Sequence, residues 1–186
     1  MDPDKASLRA ALHARLRDTS EEERSASSAD IRRHLLESEA WQRARTVMLF
    51  AALRYEPDLL PLVDNAQDRR LIFPALENDC IVPRAVSSLD GLSVAAHGIR
   101  EPSPERCAIV RAKEIDLILV PGLGFGRDGT RLGRGRGHYD RFLATLPATA
   151  VRCGVCFGCQ VSDTLPAELH DLPVSLLVTE NGVAVC

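Results

Sequence analysis

Aromatic residues are scarce in this chain: 186 residues hold one Trp, two Tyr and five Phe, 4% in all. Scarce aromatics with low hydrophobicity would describe a disordered segment. Here hydrophobic residues make up 45% of the sequence, enough for a sizeable core. No apolar run approaches the roughly 18 residues of a membrane helix, and residues 1–17 open on acidic positions without the apolar stretch of a signal peptide. A basic excess is missing too: 23 Lys and Arg against 26 Asp and Glu leave a net charge of -3, without the cationic footprint of a duplex-binding protein. The six cysteines, Cys80, Cys107, Cys153, Cys156, Cys159 and Cys186, fall short of the density of a disulfide scaffold. Reduced thiols in a cytoplasmic protein are expected. With no internal repeat or low-complexity segment in the sequence, residues 1–186 read as a single domain.

Leu8, Leu12 and Leu16 recur at i, i+4 and i+8 and predict a helix over residues 5–17, with Lys5 and Arg9 together on another face. Ser20 and Glu23 have capping-box spacing and open a second helix, buried through Ile31, Leu35 and Leu36 and ending near Trp41. Aliphatic runs at 46–52 and 70–76, separated by a stretch around 58–66 with room for a brief helix, read as β, α, β. Residues 80–86 form another strand, which Pro83 confines to an edge or a bulge. Gly91, Gly98, Pro102 and Pro104 mark the segment that follows as irregular connection. The strongest strand is 115–120, a run suited to burial on both faces of a parallel sheet and cut off at Pro121-Gly122. A short helix over 138–146 and apolar runs at 151–157 and 174–179 complete the pattern. The sum is an α/β fold, a three-layer α/β/α domain with a largely parallel central sheet, preceded by two N-terminal helices.

Between the strongest strand and the short helix lies PGLGFGRDGTRLGRGRGHYDRFL, residues 121–143. Arg127, Arg131, Arg134, Arg136 and Arg141 put 5 of the 23 basic residues within these positions. Alternate Gly133, Gly135 and Gly137 let the backbone approach an anion and turn successive amides toward it. Arg131, Arg134 and Arg136 add charge, and the following helix start adds its dipole. The stretch is chemically a phosphate cradle. It is neither the dinucleotide fingerprint nor a P-loop, and a solvated RG-rich loop, or one that touches RNA, has the same composition. It leaves the carboxyl end of a strand, where ligands bind in parallel α/β sheets.

Pro121-Gly122-Leu123-x-Phe125, then Gly129-x-Arg131-Leu132-Gly133-x-Gly135-x-Gly137-x-Tyr139-Asp140, resembles the signature of the 5-formyltetrahydrofolate cyclo-ligases, also called methenyltetrahydrofolate synthetases. The likeness covers nearly the whole chain: Lys5-x-x-Leu8-Arg9 at the start, Glu56 after the first strand, Gly98-Ile99-x-Glu101-Pro102 before the main strand and His170-Asp171 near the end. It implies an ATP- and magnesium-dependent ligase that turns 5-formyltetrahydrofolate, polyglutamylated or not, into 5,10-methenyltetrahydrofolate with release of ADP and phosphate. The chain is expected to act as a monomer on this small molecule, without nucleic acid or membrane.

By the same resemblance Lys5, Arg131 and Arg136 are catalytic. Lys5, Arg9, Arg131, Leu132, Gly133, Arg134, Gly135, Arg136, Gly137, His138 and Tyr139 hold ATP. Phe50, Ala51, Glu56, Ile99, Arg134 and His138 take the folate, with Glu56 accepting from donor nitrogens of the pterin, and Asp140 and Asp171 hold magnesium. Read from the residues alone, Lys5 and Arg9 are a solvated helix face, Glu56 a turn residue ahead of Pro57, Asp140 a helix cap and Asp171 part of a surface turn before Pro173. The chain departs from the family pattern with Gly126 where Asp is common, Arg136 where many members have Gly or Lys, and His138 where Tyr is usual. A non-catalytic folate- or nucleotide-binding paralogue is the alternative these departures raise. Cys153-x-x-Cys156-x-x-Cys159 has part of the spacing of an iron–sulfur run, but the fourth Cys with its Pro is missing, and the three read as small apolar residues.

Overall fold

The computed structural model describes residues 5–66, 68–95, 98–168 and 171–186; His170 of the sequence motif lies outside them. The leucine stripe forms α1 (Lys5–Asp18), which buries Leu12 and Leu16. The capping box opens α2 (Glu21–Glu37): Glu23 N donates to Ser20 Oγ at 3.1 Å and Ser20 N to Glu23 Oε2 at 2.8 Å. This helix does not run on to Trp41. Ser38 adopts an extended backbone and its hydroxyl accepts from Trp41 N at 3.2 Å, which starts a separate helix α3 (Glu39–Arg43).

The strands follow in chain order: β1 (Thr46–Met48), β2 (Arg70–Glu77), β3 (Cys80–Ala85), β4 (Leu92–Val94), β5 (Arg100–Pro102), β6 (Leu117–Val120), β7 (Gly124–Gly126) and β8 (Arg131–Leu132). After α4 (His138–Leu143) come β9 (Val151–Val155), β10 (Val161–Ser162), β11 (Leu176–Thr179) and β12 (Gly182–Val185). Between β1 and β2 the brief helix is a single 3-10 turn at Leu60–Leu62. Two further expectations need correction. The segment after β3, read as irregular, contains the β4–β5 hairpin, whose three-residue strands are too short to display a period. The glycine-rich stretch, read as a loop, contributes β7 and β8, which pair with each other and, through β7, with β10 in a small second sheet.

The main sheet runs β12-β11-β9-β6-β1-β2-β3. Its five inner strands are parallel, and the two edges, β3 and β12, are antiparallel. Pro83 sits on one of those edges, where a missing amide donor costs least. Alternate residues separate the two cores. Val47, Leu117, Leu119 and Val155 face Leu16, Ile31, Leu35 and Trp41 of α1, α2 and α3. Met48, Ile118, Val120 and Leu177 face Phe142 and Leu143 of α4 and Leu146 just beyond it. This is the expected three-layer sandwich, and all four residues of β6 are buried at its centre. Cys153 and Cys156 belong to different cores, and burial pushes the Cys153 thiol up to about 12. No helix among the described residues is long and apolar enough to cross a membrane.

From β1 the chain builds β2 on one side, then returns to place β6 on the other. The segments leaving the carboxyl ends of β1 and β6 therefore diverge, and a crevice opens between them.

Leu119→Ala, at a fully buried position in β6, should cost about 3 kcal/mol by urea denaturation. In the native protein a thiol reagent should modify the exposed Cys80 and Cys186 quickly, and the buried Cys107, Cys153 and Cys156 only after unfolding.

Candidate active site

A cavity of about 490 Å³ occupies the crevice between β1 and β6, within the range for small-molecule sites. The segment after β1 supplies Phe50, Ala51 and Glu56, and the segment after β6 supplies Arg131, Gly133, Arg134, Arg136, Gly137, His138, Tyr139 and Asp140. Ile99 enters from the β4–β5 hairpin. Lys5, Arg9, Leu132, Gly135 and Asp171 are not on this wall. Leu132 instead packs into a small core with Leu12 and Leu165.

Glu56 joins the two diverging segments. Its buried carboxylate accepts from Leu53 N through Oε2 at 3.0 Å, closing its own turn, and from Arg134 Nη2 and Nε through Oε1 at 2.8 and 3.2 Å. The turn expected of Glu56 is present through Oε2, and Oε1 is held by Arg134 at the cavity wall. Arg131 is buried deeper. Its guanidinium pairs with Asp140, Nη1 donates to Pro121 O at 3.4 Å, and its carbon stands 5.9 Å from the Tyr139 ring centre. Arg131 Nε is buried without a hydrogen-bond partner. An anion in the cavity would suit this cation, since buried donors are ordinarily paired. Burial, and next the charge of Glu56, raise the Tyr139 phenol well above its ordinary value, so it remains a neutral donor.

The helix α1 touches the stretch from behind. Arg9 Nε donates to Gly133 O at 3.0 Å, and Gly135 lies against the same guanidinium. One turn earlier Lys5 Nζ reaches Asp171 Oδ2 at 2.7 Å and Glu168 Oε1 at 2.8 Å, so it is a paired residue rather than a solvated one. Burial alone would lower the Lys5 ammonium, but its hydrogen bonds to Asp171 and Glu168 outweigh that and raise it. Asp171 closes the expected turn, its N donating to Glu168 O at 3.0 Å and its Oδ2 accepting from Glu168 N at 2.8 Å, and it adds the tie to Lys5. As metal donors, Asp140 and Asp171 are hard oxygens of the kind magnesium takes, one beside the cationic wall and one at the Lys5 end. Among the described residues no group of three His, Cys, Asp or Glu gathers into a metal cage.

Asp79 escaped the sequence reading. Asn78 and Asp79, with φ of 49 and 61°, form the two-residue turn between β2 and β3. From there Asp79 accepts from His138 Nε2 at 2.7 Å and Arg141 Nη2 at 3.1 Å, bracing the start of α4. The hydrogen bond from His138, aided by the charges of His138 and Arg141, holds the Asp79 carboxyl below its usual value. The signal was the Asn-Asp pair between two strands, a turn favouring positive φ. The helix start expected at this point is α4, six residues beginning after Gly137, φ 66°, with no side-chain cap on its first amides and with Gly137 and His138 on the cavity wall.

Gly126 does not loosen the stretch. A Cβ there would stand 2.2 Å from Thr130 Oγ1 and 2.3 Å from Asp128 Oδ1, and Asp128 accepts from Thr130 N at 3.0 Å and Thr130 Oγ1 at 2.6 Å. The neighbouring Asp128 thus orders the β7–β8 turn from the space a side chain at 126 would fill.

Residues 1–180 match the sequence model of the 5-formyltetrahydrofolate cyclo-ligase family. The chain is 36% identical over 142 residues to the 5-formyltetrahydrofolate cyclo-ligase of Mycolicibacterium smegmatis, covering 73% of each protein. To the protein of that name from Mus musculus it is 28% identical over 193 residues, covering 97% of this chain and 95% of the mouse one. The solved structure of the 5,10-methenyltetrahydrofolate synthetase of Aquifex aeolicus superposes with a TM-score of 0.87 at 36% identity, over 97% of this chain and 92% of that one. That fold has the same large, mostly parallel sheet and N-terminal helices.

The base of the cationic stretch tolerates no side chain at Gly129, where φ is 85° and a Cβ would lie 2.3 Å from Val174 O. Gly129→Ala should lower stability by about 1–3 kcal/mol in a denaturant titration.

Proposed function

The chain belongs to the 5-formyltetrahydrofolate cyclo-ligase family, and on that premise we propose that it is an ATP- and magnesium-dependent enzyme converting 5-formyltetrahydrofolate to 5,10-methenyltetrahydrofolate, ADP and phosphate. The observation that carries this reading is the two-sided cavity, with buried Arg131 and the Arg134–Arg136 stretch on one side and Glu56, Phe50 and Ile99 on the other. Such a cavity can hold a polyanion against a hydrogen-bond-donating ring. In this reading the enzyme is a cytoplasmic monomer without nucleic acid or membrane partners.

The reaction needs a leaving group made from a formamide oxygen. The formyl oxygen attacks the γ-phosphorus of ATP and ADP departs. N10 then adds to the activated formyl carbon, the C–O bond breaks, phosphate leaves, and N10 gives up its proton to solvent. Little of this requires an acid or base from the protein; placement and charge neutralisation carry the catalysis. Arg131 and Arg136 face the transferring phosphoryl group, and the Arg131 Nε that lacks a partner donates to it. Gly133, Arg134, Arg136, Gly137, His138 and Tyr139 offer backbone and side-chain donors to the nucleotide, and Lys5 and Arg9 approach from α1. Glu56 accepts from the pterin, its position fixed by Arg134, while Phe50, Ala51 and Ile99 exclude water from the ring. His138, held by Asp79, lies where both substrates meet. Asp140 and Asp171 would hold magnesium, which when bound offsets phosphate charge.

Purified protein with ATP, magnesium and 5-formyltetrahydrofolate should generate the absorbance of the methenyl product, and chelation of magnesium should stop it. Folded protein that binds both substrates without turnover would favour the non-catalytic paralogue. Asp140→Asn keeps an acceptor for Arg131 but removes the charge beside it and weakens the metal site, so the activity of the folded protein should fall about 100-fold or more and the thermal midpoint should fall with it. Magnesium-dependent activity at the original level would remove Asp140 from the metal site.

A further inference from the structure

A second opening, of about 600 Å³, adjoins the first and shares Ala51, Leu53, Glu56 and Arg100 with it. The reaction proposed above uses none of its remaining wall. Three arginines line it: Arg24 from α2, Arg54 from the β1 segment and Arg100 from the start of β5. Among the described residues none of the three is in an ion pair, although the molecule has many elsewhere. Two of them are held in place. Arg24 and Arg54 both lie against the Tyr55 ring, 5.2 and 5.3 Å from its centre, and Arg24 Nη1 donates to Thr19 O. Arg100 lines both openings. The carboxylates on the rim differ in this respect. Glu56 is taken by Arg134, and Asp58 Oδ1 accepts from Leu60 N at 3.0 Å; among the described lining residues only Glu21, in the first turn of α2, brings a further negative charge. Two cations held against one ring and a third on the shared wall, with carboxylates largely occupied, make a surface suited to an anion.

We propose that this opening binds the glutamyl tail of the folate, its carboxylates on Arg24, Arg54 and Arg100. The inference rests on the reaction proposed above. A folate is a long molecule with a donor-bearing ring at one end and carboxylates at the other. With the ring at Glu56, where the two openings meet, the continuous path past Arg100 leads to the arginines. The nucleotide phosphates, in contrast, belong to the Arg131–Arg136 wall on the far side of Glu56.

The test compares KM for 5-formyltetrahydrofolate with KM for 5-formyltetrahydropteroate, the same molecule without its glutamate, in the unmodified protein, Arg54→Glu and Arg54→Lys. Arg54 is exposed, so these changes spare the core. The unmodified protein should favour the glutamate-bearing substrate about ten-fold, two carboxylates on partly exposed guanidiniums each contributing a few-fold. That preference should shrink as salt is raised. It should collapse to within about two-fold of unity in Arg54→Glu and largely persist in Arg54→Lys. Equal KM values for both substrates in the unmodified protein, with turnover present, would overturn the tail site and leave the reaction standing. No turnover of either substrate would overturn both. A raised KM for ATP in Arg54→Glu, with the substrate ratio unmoved, would seat a phosphate there instead and also overturn the proposal.

Discussion

Where a parallel sheet reverses its strand order, the segments leaving two neighbouring strands part from one another, and side chains must bridge the gap. In this chain the gap lies between β1 and β6, and the bridge is the fork from Arg134 to Glu56, residues 78 apart in sequence. Glu56 is the dependent partner. Its side chain is 6% exposed against 38% for that of Arg134, so loss of the arginine would leave a nearly buried charge. Such losses cost about 3–5 kcal/mol for fully buried pairs, and less where one partner meets solvent, as Arg134 does. Both openings share Glu56, so the pair sets the position of each.

The cationic wall is ordered by ties that run behind it. Gln160 Nε2 donates to Gly122 O and Leu123 O, Val174 N to Gly129 O, and Arg9 to Gly133 O. The small sheet of β7, β8 and β10 turns what composition describes as a flexible loop into a fixed surface. A wall fixed in advance need not reorganise as charge develops on a transferring phosphoryl group, which is where electrostatic catalysis gains most. Arg131 goes furthest, with one donor committed to Asp140 and another buried without a partner.

Much of the fold was legible from local pattern. The stripe of α1, the capping box of α2, the edge placement of β3 and the double burial of β6 depend on neighbours within a few residues, and all four appear in the structure. The misses share a cause. Ser38 interrupts a helix that periodicity alone continues, and β4, β5, β7 and β8 are two or three residues long, below the length at which alternation can be read. The candidate site divides in the same way. Chemistry of the 121–143 stretch was visible as composition and motif, whereas Asp79, Arg100 and the pairing of Lys5 with Asp171 and Glu168 were not, because each acts through residues far along the chain.

By itself the sequence determined the class of fold, the cations and carboxylates available and the family whose motif they match, since these follow from residue identity and short-range spacing. The tertiary structure alone decided which of those groups meet. Lys5 finds Asp171 across 166 positions and His138 finds Asp79 across 59 because the strand order brings their segments together. No local pattern encodes such an encounter: hydrophobic periodicity specifies which face of an element is buried, and the path of the chain through the sheet specifies what lies opposite it.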